Sequence, residues 1–319
     1  MGNKTDPQWY YYGTAEKEKR RIEKLAGKPL ASFSPLLPYF VLPFRFKSAP
    51  ASYSFLGTVT ADFFGLQFLE KWGFLHIPVI NVQSPLDDKV PFTPSKVDIY
   101  LGFINFWLRP FTMLMKRFGI RRSLPFCTEF LRLLKTAYHE AARVYRFRLS
   151  TTNRPDYNDM KKFRYIHRMD PHLLCVPSLH IAIVVLCYTF YRRLFEREHF
   201  TREEKEMWNR ELYGGAIRIA ESVLYIKQHS VNCIPAALYM MTRISGNLFT
   251  TEDAVAFIND LFADANDITT EDRNQIIDYI QYMYERLLLE GCTENDWTVP
   301  VQHWLLEHAA RTGQQSVQG

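Results

Sequence analysis

Apolar positions recur at helical spacing along much of the chain. Phe130, Leu133, Leu134, Ala137, Ala141 and Val144 lie three or four apart with polar residues between them. That pattern predicts an amphipathic helix over about 128–149, with Thr128 as its cap. Thr201 followed by Glu204 forms a capping box, and Gly214-Gly215 predicts a break before a helix carrying Ile217 to His229. Thr269 and Asp272 repeat the capping pattern ahead of an apolar stripe, Ile276, Ile280, Met283 and Leu287, which ends near Gly291. Trp297 to Arg311 reads as a last short helix. From about residue 97 onward the chain reads as helices, and the fold class that follows is all-α, a helical bundle.

The first part of the chain is different. Residues 31–55 are apolar but hold Pro35, Pro38, Pro43 and Pro50, which predicts irregular chain rather than a sheet. The organisation expected is a polar N-terminal arm or helix (1–30), a helical core (31–245), a C-terminal helical extension packed on that core (246–312) and a flexible tail (313–319). A membrane-spanning helix needs about 20 largely apolar residues, and Pro171–Tyr191 alone reaches that length without a charge. It also contains two prolines and two histidines, and the mean hydropathy is −0.21. A cytoplasmic or peripheral membrane protein is expected, an integral one being the alternative.

Composition excludes several classes. At 319 residues, 47 % of them apolar and 23 % charged, the chain can bury a substantial core and is neither collagenous nor largely disordered. The formal net charge of +5 is too small to mark a nucleic-acid binder, but it suits contact with phosphates or lipid headgroups. Five cysteines without CxxC spacing indicate neither a disulfide scaffold nor a thiolate zinc site, and the thiols are expected reduced. Asp6 stands where an N-myristoylation pattern has Ser or Thr. No phosphate-binding glycine loop or dinucleotide fingerprint occurs. His139-Glu140, the pair His303 and His308, and the acidic run Asp260 to Asp267 lack metal-site spacing, so no metal or cofactor is expected.

Two segments carry chemistry. In Cys175-Val-Pro-Ser-Leu-His180, Pro177 suits a helix start, and Ser178 can offer a backbone N–H to an anion beside His180. In Ser222-Val-Leu-Tyr-Ile-Lys-Gln-His229, helical spacing predicts Ser222, Ile226 and His229 on one face. The order Pro177-Ser178-Leu179-His180, then Ser222, then Lys227-Gln228-His229, with 49 residues between the histidines, resembles the last two motifs of the type 2 phosphatidic acid phosphatase and vanadium haloperoxidase superfamily. The Pro-Ser-Leu-His and Lys-Gln-His forms are most similar to its inositol phosphorylceramide and sphingomyelin synthase branch. The resemblance covers about 165–245.

That resemblance implies a helical bundle with His229 as nucleophile, a phosphohistidine intermediate, and His180 as general acid and base. It implies phosphate-binding roles for Ser178, Lys227 and Ser222. The substrate implied is a phosphorylated lipid or isoprenoid, with a membrane surface as a further partner and no metal. The first family motif, a Lys ahead of an Arg-Pro pair, has no clean match. Arg154-Pro155 has Phe147 where the Lys belongs, and Lys161 with Arg168 has Met169 in place of Pro. Arg168 is the favoured phosphate ligand and Arg154 the reserve. The Asp that orients the nucleophile is replaced by Cys233, with Asn232 before it, and neither side chain supplies a carboxylate. The function expected is a metal-independent lipid phosphate phosphatase or phosphotransferase. The alternatives are a noncatalytic helical protein binding phosphate or a membrane surface and, disfavoured by Val223 where the haloperoxidase pattern has Arg, a vanadate-dependent haloperoxidase.

Overall fold

The computed structural model describes residues 8–314, so Asp6, the start of the N-terminal arm and residues 315–319 of the tail lie outside the described residues. Helix α1 (Gln8–Leu25) precedes the proline-bearing segment, which is helical in short pieces rather than irregular. These are α2 (Leu36–Val41), α3 (Ala49–Thr58) and, after a π turn at Val59–Gly65, α4 (Leu66–Lys71). Proline permits this because Pro50 occupies the first turn of α3, where the N–H it lacks would be unpaired anyway.

Helices α5 (Val97–Leu101), α6 (Phe103–Phe118) and α7 (Ile120–Tyr145) follow. Helix α7 is the amphipathic helix expected at 128–149, but it starts earlier, which leaves Thr128 inside it, and stops at Tyr145. The chain then turns into a strand, β2 (Leu149–Thr151), paired in parallel with β1 (Val79–Asn81) in the register Val79 to Leu149. Strands of three residues carry too little alternation to be read from sequence.

Helix α8 (Lys161–Met169) leads to α9 (Leu179–Arg197), α10 (Arg202–Tyr225), α11 (Cys233–Ile244), α12 (Thr251–Asp260), α13 (Thr270–Gly291) and α14 (Thr298–Arg311). Among the described residues the architecture is an all-α helical bundle with that one small strand pair. Helix α9 runs through its middle, packed against α6, α7, α10 and α11. Its apolar surface is covered by protein, which is why the longest uncharged run in the sequence looks like a membrane span. Among the described residues no helix is long and apolar enough to cross a membrane.

The predicted caps are formed. Thr201 Oγ1 accepts the Glu204 N–H at 3.2 Å, and Thr269 Oγ1 accepts the Asp272 N–H at 3.1 Å. The predicted break at Gly214-Gly215 is absent, and α10 continues through it. Gly215 is needed for close approach instead, since a Cβ there would lie 2.7 Å from the Phe106 ring. Helix α10 ends at Tyr225, and Lys227 turns the chain with a φ of 56°. His229 therefore lies in the following turn, off the helix, and shares no helical face with Ser222.

Candidate functional site

Strand β2 fixes the first histidine segment. Ser150 donates its N–H to the Leu173 carbonyl at 2.9 Å, accepts the Cys175 N–H on its own carbonyl at 3.2 Å, and accepts the Val176 N–H on Oγ at 2.7 Å. Tyr145 donates its hydroxyl to the Pro177 carbonyl. Ser178 then caps α9, its Oγ accepting the Ile181 N–H, so that His180 sits in the opening turn.

Asp87 fixes the second. It lies in the 3₁₀ turn Pro85–Lys89, is almost fully buried, and accepts the Ser84 N–H on Oδ2 and the Val231 N–H on Oδ1, each at 2.8 Å. Burial raises its pKa, and the hydrogen bonds from Ser84 and Val231 oppose the rise. Lys227 donates to the Asp87 and Val90 carbonyls. Asn232 donates to the Val82 carbonyl at 2.9 Å and accepts the Tyr279 hydroxyl. The Ser178 N–H donates to the Cys233 carbonyl at 3.3 Å, which ties the two segments together.

The two imidazoles meet. His229 Nε2 lies 3.3 Å from His180 Nδ1 and 3.3 Å from Ser178 Oγ, with the rings 5.4 Å apart and inclined at 68°. Tyr100 and Phe103 pack on His180 at ring distances of 4.7 and 4.6 Å. Both histidines line a cavity of about 380 Å³ whose other walls are largely aromatic and aliphatic, Phe55, Phe63, Trp107 and Leu174 among them. A cavity of this kind suits an apolar ligand with one polar end.

Burial favours the uncharged form of both rings. It pushes His180 down to about 4, against the Asp170 carboxylate, which acts upward. His229 is held well below its ordinary value by burial first, then by the neighbouring His180 and by Arg154. The Cys175 backbone acts upward on the ring, but His229 Nδ1 is buried without a well-formed hydrogen bond among the described residues.

The remaining sequence candidates are distributed around this pair. Arg154 forms a bidentate contact with Asp170, its Nη2 2.9 Å from Oδ2 and its Nη1 3.0 Å from the carbonyl oxygen. Arg168, the favoured phosphate ligand, is exposed on α8 and does not line the cavity, whereas Arg154, the reserve, is half-buried against Asp170. Lys227 points to the Asp87 turn, and Ser222 donates its hydroxyl to the Ile219 carbonyl within α10, so neither side chain is directed at the imidazoles. The Ser178 N–H is occupied by Cys233 and is not free for an anion. Cys233 is fully buried, and its Sγ accepts the Ser230 N–H at 3.4 Å. Asn232 is occupied by Val82 and Tyr279.

Sequence reading missed His172 and Asp87. His172 lines the same cavity, is buried in the left-handed region at a φ of 65°, and pairs through Nε2 with Thr152 Oγ1 at 2.7 Å. Its place beside the Cys175 motif was the available signal. Asp87 had none, because its role comes from contacts far along the chain. Among the described residues no cluster of three or more His, Cys, Asp or Glu is arranged to hold a metal ion. No protein-family model matches the chain, and no curated protein or solved structure matches it.

Proposed function

We propose that the chain is a metal-independent phosphatase or phosphotransferase of the type 2 phosphatidic acid phosphatase and haloperoxidase kind, acting on a phosphorylated lipid or isoprenoid. One observation carries the reading: His229 Nε2 stands within 3.3 Å of both His180 Nδ1 and Ser178 Oγ, and both imidazoles line a largely apolar cavity. A phosphoryl group enters by replacing the direct contact between the two rings, and the alkyl part of the substrate occupies the cavity.

The uncharged His229 Nε2 attacks phosphorus, and the phosphorus–oxygen bond to the alcohol breaks. His180, protonated as the anionic substrate binds, gives its proton to the departing oxygen. His180 then takes a proton from water or an acceptor alcohol, whose oxygen displaces His229 from phosphorus. The products are the free alcohol and either phosphate or a new phosphate ester. Ser178 donates to a phosphate oxygen, and Arg154 supplies the nearby positive charge. The test is incubation with short-chain phosphatidic acid in EDTA, followed by trapping of acid-labile phosphohistidine. Phosphate release with a trapped intermediate that is lost in His229→Ala supports the reading. Full dependence on an added divalent ion, or equal trapping in the variant, removes it.

A second reading rests on the unpartnered His229 Nδ1. Without a carboxylate to hold that N–H the ring is less well oriented and less stabilised as it becomes positive. A noncatalytic protein that holds a phosphorylated amphiphile in the same cavity predicts saturable binding of that lipid with no turnover.

A further inference from the structure

Apart from Tyr282, Leu289 and Leu306 on α13 and α14, the large apolar side chains left exposed lie within residues 36–79 or line the cavity. Six of them, Tyr39, Leu56, Phe64, Ile104, Tyr165 and Met169, also line the cavity, so they form the rim of its mouth. Beyond the rim, in the same short-helix segment, Phe40, Phe44, Phe46, Trp72 and Phe74 stand in solvent, Phe46 at 95 % exposure. A contiguous apolar area around a cavity mouth marks a contact surface rather than ordinary surface scatter.

The exposed charges beside these residues are predominantly cationic. Arg45, Lys47 and Lys71 are exposed within the segment, whereas its acids are withdrawn. Asp62 is buried against Arg146 and His139, and the half-buried Glu70 accepts the Ile77 N–H at 2.9 Å. Helix α8, which gives Tyr165 and Met169 to the rim, carries exposed Lys161, Lys162, Arg164 and Arg168 and no acid, Asp98 pairing with Lys162. Asp156 and Asp159 precede this helix and reduce the local excess without reversing it.

We propose that this face docks on an anionic phospholipid bilayer, with the cavity mouth against the acyl region and the flanking lysines and arginines among the headgroups. Aromatic side chains with basic neighbours suit the bilayer interface, where rings enter the acyl boundary and long cationic side chains reach the phosphates. A second copy of the chain fits less well, because a two-fold contact would set Arg45, Lys47 and the α8 cations against their own equivalents. The inference goes beyond phosphoryl transfer, since it concerns where the protein rests and requires no turnover.

The experiment is co-sedimentation of the full chain with phosphatidylserine–phosphatidylcholine vesicles and with phosphatidylcholine vesicles alone, with sedimentation velocity to report the oligomeric state. Binding is expected to the anionic vesicles and to weaken with added salt. Arg45→Gln with Lys47→Gln lowers the partition coefficient by about 30-fold, taking the surface attraction of two cations. Phe44→Ser with Phe46→Ser lowers it by at least about tenfold. These side chains are exposed, so the variants keep the parent fold, which circular dichroism checks. His229→Ala binds as the parent does, which separates failure of this proposal from failure of the catalytic one. Equal binding of parent and surface variants overturns the proposal. So does a dimer, without vesicle binding, that the same substitutions dissociate.

Discussion

Asp87 and Val231 are 144 residues apart in the chain, and a 2.8 Å hydrogen bond from the Val231 N–H to Asp87 Oδ1 holds the turn that presents His229. The same carboxylate closes its own 3₁₀ turn through Ser84. One buried acid therefore sets the position of a ring it does not touch.

Asp87→Ala is expected to leave the Ser84 and Val231 N–H groups unpaired in a buried place and to destabilise the protein by about 2–4 kcal/mol. Asp87→Asn, which keeps an acceptor oxygen, should recover part of that loss. Urea unfolding of the two variants beside the parent checks the order. An alanine variant as stable as the parent would remove Asp87 from this role.

His180→Ala is expected to slow phosphate release from short-chain phosphatidic acid by about 100- to 10,000-fold while leaving phosphohistidine formation detectable with a p-nitrophenyl phosphate leaving group. His229→Ala closes the covalent route altogether. The informative comparison is the trapped intermediate in each variant, with no difference between them counting against the assigned roles.

Sequence reasoning alone favours a gain of phosphoryl transfer in Cys233→Asp, because the family's orienting residue is an acid. The geometry reverses that expectation. Cys233 Sγ is engaged by the Ser230 N–H, and burial together with neighbouring Cys175 already holds the thiol uncharged. A carboxylate there is expected to cost about 2–4 kcal/mol of stability with no rate gain. Thermal unfolding alongside a phosphohistidine burst decides between the two, and a folded variant with a larger burst would restore the orienting role.

The protein should lose stability in mild acid. His172, His180 and His229 all have folded pKa values below the ordinary 6.5, His180 at about 4. As pH falls the unfolded chain takes up these protons first. The stabilisation is full above about pH 6.5 and declines toward the folded pKa, by up to about 1.4 kcal/mol per pH unit for each ring. Urea midpoints at about pH 7.5 and 5 should differ, and His172→Phe should flatten the slope. A midpoint independent of pH over that range would mean that these rings are not held neutral.

Gly215→Ala should destabilise the bundle by about 1–3 kcal/mol, because the added methyl meets the Phe106 ring at 2.7 Å. Gly214→Ala meets only the end of the Arg218 side chain and should be nearly neutral or slightly stabilising, since alanine favours a helix. Paired thermal melts test the contrast.

Local signals in the sequence were legible and non-local ones were not. Thr201 with Glu204 and Thr269 with Asp272 are readable because cap and partner lie within one turn. The stripe from Ile276 to Leu287 is readable for the same reason. Gly214-Gly215 misled because a glycine used for helix packing has the same letter as one used for a bend. The histidine motifs pointed to a common site, but Lys227 could not be placed from its spacing, since its direction depends on the left-handed turn at its own backbone and on carbonyls of the Asp87 turn. His172 and the β1–β2 pairing depend on segments that only the folded chain brings together.

That pairing bears on the order of assembly. Helices α9 and α10 are neighbours joined by a few residues, so their contact closes a short loop. The imidazole pair instead needs β1, β2, the Asp87 turn and the His229 turn all in place, and each of these joins waits on a much longer stretch of chain. A partly assembled molecule can hold its central helices while the histidines are still apart. The two imidazoles thus meet only with the last long-range contacts, and a nascent or heat-loosened chain carries helical structure while its histidine pair is still unmade.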